Sequence, residues 1–245
     1  IRIGFFIGVL YSIQKEKVKM KTIGMIVAME EEVLPLLKNA GKEGAGGKEG
    51  CFSVHTFYIG ANKIVCVKSG VGEIYAAAAT QMLLDKYSVD IVINYGVCGS
   101  LTDELAVKGL AVVKGVVHYD FDTSALDGCE VGRYPEFPSV VLPTDDGLRK
   151  KALTVIPGLK EVVCASADKF VADEGKKQYL NETYGAEICE MESAGVLLTC
   201  LHAGVPCLIL KAVSDGKGGA EEFTRMVNES ARECAKIVTE VSAVL

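Results

Sequence analysis

The chain has 245 residues, 49% hydrophobic and 24% charged, with a formal net charge of −6 and an isoelectric point near 5.3. That composition suits one folded α/β domain and excludes a disordered chain. An acidic balance with no Lys/Arg cluster excludes recognition of a nucleic-acid backbone, which leaves a small molecule as the expected partner.

Residues 1–19 stand apart. Their apolar run at 3–13 falls short of the roughly 20 residues that span a bilayer. Lys15, Lys17, Lys19 and Lys21 follow that run, the reverse of a secretory signal. The expectation is an extension upstream of a true start at Met20, no membrane partner, and one catalytic domain over 20–245; a weak membrane anchor is the alternative.

Residues 22–28 read as a buried strand and 30–38 as a helix whose first turn, Glu30-Glu31-Glu32, complements the helix dipole. Pro35 must sit in that first turn or kink the helix. Residues 41–50 form a loop of glycines and charges, and 52–59 with 63–68 form a hairpin. Ser69-Gly-Val-Gly72 then leads into an alanine-rich helix over 73–86. It matches neither the dinucleotide nor the nucleoside-triphosphate fingerprint.

Residues 89–94 predict a strand followed by a glycine turn, Tyr95-Gly-Val-Cys-Gly99, and 110–118 another strand, which feeds a loop from His118 to Pro138. In that loop Asp120, Asp122 and Thr123 are polar enough to face a ligand. A strand at 162–165 precedes Ser166-Ala-Asp-Lys-Phe-Val171. Then come a short strand ending at Cys189 or Glu190, a helix from about Glu192, a buried strand over 207–213 ending in Ser214-Asp215-Gly216, and a final amphipathic helix over 221–244. Alternating strands and helices predict a mixed sheet covered on both faces.

Nine cysteines, an odd number without a C-x-x-C pair, read as reduced thiols of a cytoplasmic protein. The three histidines have no metal-ligand spacing, so neither metal nor cofactor is expected. Three acids stand out because each follows an apolar strand, where the loops of an α/β sheet converge: Glu32, Glu192 and Asp215. Each also has a plain alternative as a solvated helix turn or an ordinary turn. Carboxyls gathered without metal or histidine suit cleavage of a glycosyl bond, in which one protonates the leaving group and another activates water. The proton donor needs a raised pKa, and Asp215, behind an apolar strand, is the better candidate.

Ala28-Met-Glu-Glu-Glu32, Lys68-Ser-Gly-Val-Gly72, Glu190-Met-Glu192 and Val213-Ser-Asp215 resemble the signature segments of 5′-methylthioadenosine/S-adenosylhomocysteine nucleosidases, within the purine nucleoside phosphorylase superfamily. The similarity runs in order from about Met20 to the C-terminus. It implies a three-layer αβα sandwich, usually a homodimer, that hydrolyses the N-ribosidic bond of adenine nucleosides without a cofactor. By position the resemblance makes Glu32 the base for water and Asp215 the acid at purine N7, held by Ser214. Glu192 and Met191 would grip the ribose, Phe170 and Val171 meet the base, and Met29 and Val71 line the sugar side.

Three departures accompany the likeness. Val97 stands where a water-contacting serine is usual. Lys211 stands where an arginine is usual, a point charge in place of a planar fork for water or an anion. The segment after Asp215 is short and lacks the phenylalanine expected near the 5′ substituent. Two rivals therefore remain at this level: a phosphorylase using phosphate, supported by Lys68 and Lys211, and a non-catalytic nucleoside-binding protein.

Overall fold

A computed structural model describes residues 20–41 and 46–245. The expectation for the N-terminal extension lies outside the described residues. Strand β1 (Thr22–Val27) pairs in parallel with β4 (Asn62–Lys68) on one side and β5 (Ile91–Ser100) on the other. On the outer side β4 continues antiparallel to β3 (Phe52–Ile59) and then β2 (Gly47–Glu49), so part of the expected 41–50 loop is an edge strand.

Beyond β5 the sheet curls. Strand β5 pairs with β10 (Cys207–Asp215) and also with β9 (Ile188–Glu190), while β10 reaches β9 by way of β6 (Leu110–His118) and β8 (Lys160–Ser166). Five strands thus close a ring, with the two-residue β7 (Leu142–Pro143) on β6. The sheet is mixed, as expected.

Strand periodicity divides the core between the two faces. On one face Ile23, Met25 and Val27 pack with Val33, Leu36 and Leu37 of α1 (Glu30–Asn39) and with Cys234 and Val238 of α7 (Gly219–Val244). Helix α4 (Asp146–Val155) adds Leu148 and Ala152. On the other face Ile26, Val65 and Val67 meet Ala76, Ala79 and Leu83 of α2 (Glu73–Lys86) and Val196 and Leu197 of α6 (Ser193–Ala203). Helices α2 and α6 approach closely because Gly195 has no side chain; a Cβ there would lie 2.5 Å from the Glu73 carbonyl oxygen. The result is the expected three-layer αβα arrangement, completed by α3 (Ser124–Asp127) and α5 (Glu174–Tyr184).

Two expectations are corrected. Residues 95–99 are not a turn: β5 runs through them and every residue of the strand is buried. Pro35 lies in the second turn of α1, not the first, and the helix continues past it. Among the described residues no helix is long and apolar enough to cross a membrane.

Candidate active site

The carboxyl ends of β1, β4, β8, β9 and β10, with the second half of β5, surround one partly open cavity of about 280 Å³. Glu32, Glu192 and Asp215 all line it, although they are remote in sequence. Met29, Val71, Phe170, Val171, Met191 and Ser214 line it as well.

Glu32 is the third residue of α1, and its carboxylate reaches back to the start of its own helix. Oε2 accepts from the backbone N–H of Met29 at 2.9 Å and of Ala28 at 3.2 Å. This is half of a capping box. Oε1 accepts from the Val97 N–H at 2.9 Å. Gly96 makes this approach possible, since a Cβ there would collide with Oε1. A glycine that reads as a turn former instead clears space beside a strand. Burial raises the Glu32 pKa against the opposing pull of Val97 and Lys211. Oε1 keeps one lone pair for a further donor.

Asp215 ends β10 and is 2% exposed. Ser214 Oγ lies 2.8 Å from Asp215 Oδ1 and 3.1 Å from the Cys98 carbonyl oxygen. One hydroxyl proton cannot serve both acceptors. The hydroxyl donates to Asp215 at the shorter distance; a proton on Asp215 would let Asp215 donate to Ser214 and Ser214 to Cys98 instead. Burial raises the Asp215 pKa, only partly offset by Ser214 and by the charge of Lys177. Desolvation thus shifts Asp215 toward its neutral form, against the pull of Ser214 and Lys177.

Glu192 is the N-cap of α6, and its Oε1 accepts from the Gly72 N–H at 2.9 Å. The start of α2 thereby holds it. Glu73 N, the next donor of α2, is held by Asp168 Oδ1 at 2.7 Å. Burial, then the charge of Glu190, pushes the Glu192 pKa up to about 8. Glu190 is the opposite case. Burial would raise its pKa, but Lys211 and hydrogen bonds from Ser166 and Ser193 more than compensate and hold it low. Its carboxylate also takes the N–H groups of Glu192 and Ser193, the positive end of α6.

The raised Glu192 pKa makes stability depend on pH. Between about 4.5 and 8 the folded state keeps a proton that the unfolded chain has lost, so this contribution falls as pH rises through that window. Glu192→Gln is therefore expected to match the parent near pH 4. Above pH 8 it should exceed the parent by a few kcal/mol, because each tenfold difference in proton affinity between the two states is worth about 1.4 kcal/mol. Urea unfolding at the two pH values measures it. A variant less stable than the parent at alkaline pH would contradict the assignment.

Four expectations drawn from the sequence need revision. Lys211 does not reach the cavity: it is 1% exposed and its Nζ is 2.8 Å from Glu190 Oε2, so it is not a water or anion contact. Val97 contacts Glu32 through its backbone, while its side chain packs with Met29, Phe223, Val227 and Ala231. A phenylalanine does reach the cavity from beyond the short segment after Asp215. Phe223 of α7 lines the cavity, its ring edge-on to Phe170 at 5.6 Å. Its place on an amphipathic helix disguises it as core. The polar residues of the 118–138 loop do not line this cavity.

Residues 22–243 match the sequence profile of the phosphorylase superfamily. An aminodeoxyfutalosine nucleosidase of Helicobacter pylori is 31% identical over 226 residues, covering 89% of this chain and 97% of that protein. A 5′-methylthioadenosine/S-adenosylhomocysteine nucleosidase of an Exiguobacterium species is 32% identical, covering 88% and 92%. Among solved structures, the H. pylori 5′-methylthioadenosine/S-adenosylhomocysteine nucleosidase in complex with a pyrrolidine inhibitor superposes with a TM-score of 0.87 at 29% identity, covering 92% of this chain and 99% of that one. The native futalosine hydrolase of H. pylori gives the same TM-score at 30% identity with the same coverage.

Proposed function

This chain belongs to the phosphorylase superfamily, in the branch of the 5′-methylthioadenosine/S-adenosylhomocysteine nucleosidases, and from that premise we infer that it hydrolyses the N-ribosidic bond of an adenine nucleoside. The observation that carries the reading is the meeting of Glu32, Glu192 and Asp215 in one partly closed cavity, with Asp215 in a setting whose burial raises its pKa.

Asp215 gives its proton to the purine as the glycosidic bond breaks. Ser214 then turns its hydroxyl from Cys98 to the new carboxylate and stabilises it. Glu32, clamped by three backbone N–H groups, uses its remaining lone pair to orient and deprotonate the attacking water. The buried carboxylates also favour the positive charge that develops on the sugar. Glu192, presented by Gly72, takes the ribose hydroxyls. Phe170 covers the base, and Met29, Val97 and Phe223 form an apolar wall for a 5′ substituent.

Water is favoured over phosphate on charge. Among the described residues Lys169 is the one cation lining the cavity, which leaves a phosphate dianion short of the positive donors it needs. Lys211 is committed to Glu190, and Lys68 pairs with Glu30 at 2.5 Å. The test is turnover of methylthioadenosine, S-adenosylhomocysteine, aminodeoxyfutalosine and adenosine with and without phosphate. Free ribose derivatives at equal rates are expected; a ribose 1-phosphate product would overturn the hydrolase.

Asp168 joins the two halves of the site, since it caps α2, which has only Gly72 as N-cap, and lies two residues before Phe170. Asp168→Ala is expected to cost about 0.5–2 kcal/mol of stability, as for a lost cap, and to raise KM more than it lowers kcat. Asp168→Asn keeps an acceptor and should retain both. Steady-state kinetics on the pair, with urea melts, decides: equal losses in Asn and Ala variants would remove the capping role.

A further inference from the structure

Outside the cavity, His118 at the end of β6, Asp120 just after it and Glu73 at the start of α2 form a separate cluster. His118 Nε2 lies 2.7 Å from Glu73 Oε2 and 3.0 Å from Asp120 Oδ1. The three ligand atoms lie within 4.8 Å of one another. The other ring nitrogen, Nδ1, is 2.7 Å from the Tyr134 hydroxyl. Tyr134 is itself fixed by stacking on Phe121, with ring centroids 3.9 Å apart and planes 8° from parallel.

Counting protons shows what this arrangement lacks. Nε2 carries at most one hydrogen, yet two carboxylates face it. A doubly protonated imidazole balances one carboxylate of the pair, and the second has the largely exposed Lys169, with Nζ 3.7 Å from Asp120 Oδ2. The second oxygen of Glu73, Oε1, is moreover buried with no hydrogen-bond partner, in a residue that is 7% exposed. A divalent cation in place of the shared proton would correct both. It would balance two carboxylates around a neutral imidazole, and a cation bound through Oε2 is within reach of Oε1 on the same carboxyl carbon. The Nδ1–H would then donate to Tyr134, the usual support for a ligating histidine.

We propose that Glu73, His118 and Asp120 form a divalent-cation site that fastens the start of α2 to the end of β6. One imidazole and two carboxylates suit Zn²⁺ or a similar first-row ion, with water in the remaining position. Bond lengths of about 2.0–2.2 Å require Nε2 to move a few tenths of an ångström away from the two carboxylate oxygens that it now contacts at 2.7 and 3.0 Å. Asp120 can move, because it sits in the exposed segment after β6. Lys169 Nζ, 3.7 Å from Asp120 Oδ2, is on a largely exposed side chain and can swing away. Local sequence spacing hides the site, because Glu73 reaches it only through the pairing of the layers.

The test uses the full chain freed of metal with a chelator. Zn²⁺ titrated calorimetrically is expected to bind at one equivalent per chain and to raise Tm. Glu73→Gln, which keeps the size and a hydrogen bond to His118, and His118→Ala should each weaken binding at least tenfold and remove the Tm shift. Tyr134→Phe should weaken it about tenfold. Because the chain has nine cysteines, Co²⁺ spectra give a second readout, and a nitrogen and oxygen donor set predicts no thiolate charge-transfer band. Absence of stoichiometric binding, affinity unchanged in Glu73→Gln, or a thiolate band would overturn the site. If His118→Ala fails to fold, Glu73→Gln decides.

Discussion

Asp215→Asn is expected to lower kcat by about 10²–10⁴-fold, the range that general acid catalysis supplies, while nucleoside affinity stays within a few-fold of the parent. The amide matches the carboxyl in shape and its N–H can donate to Ser214 as the protonated carboxyl would, but it cannot release a proton to the leaving purine. The fold should tolerate it, because burial already favours a neutral group at this position. The same burial sets the pH dependence. In the parent, kcat falls as pH rises through the raised Asp215 pKa, and this limb should vanish in the variant. Single-turnover rates and equilibrium dialysis with the same nucleoside separate the two effects. Parallel loss of binding and folding would make Asp215 structural, and turnover near the parental rate would remove it from the chemistry.

Much of the frame is legible because local signals agree with the fold. The alanine-rich run bounded by Gly72 gives α2 at its observed limits, and the apolar run before His118 gives β6. The acids are legible by position, since strand ends in α/β sheets face one crevice. What escapes the sequence is tertiary. Gly96 and Gly99 read as turn formers, yet β5 passes straight through them. A Cβ on Gly96 would strike Glu32 and one on Gly99 would press on Asp215 at 3.2 Å, so these glycines make room for the two central carboxyls. Phe223 has the spacing of a core residue and shows its role only when α7 is laid beside Phe170. Helices α4 and α5 each bury only two residues, so little of their sequence announces them beyond the capping Asp145 and Asp173. Lys211 signals a buried partner, because a lysine in an apolar strand needs one. Nothing local names Glu190 as that partner, since α6 separates β9 from β10 in the chain and the two strands come together only by flanking β5.

That pairing sets up the second large effect. Lys211→Met is expected to destabilise the fold by about 3–5 kcal/mol, the cost of leaving one member of a buried ion pair uncompensated. Methionine fills most of the lysine volume, so the loss is electrostatic and not a cavity. The penalty should shrink in acid, because an unpaired Glu190 acquires a raised pKa and escapes its charge by taking a proton. Adding Glu190→Gln to Lys211→Met should recover most of the stability at neutral pH, since the amide leaves no buried charge and still accepts from the N–H groups at the start of α6. Urea unfolding of the two single variants and the double variant at pH 5 and pH 8 forms the cycle. If Lys211→Met costs the same at both pH values, or Glu190→Gln rescues nothing, the pair is not what holds this end of the strand ring together. Success would carry a functional corollary. The charge on Glu190 raises the Glu192 pKa and that of Lys211 lowers it, so losing both largely cancels, and burial should keep the ribose-facing carboxyl of the double variant above its ordinary range.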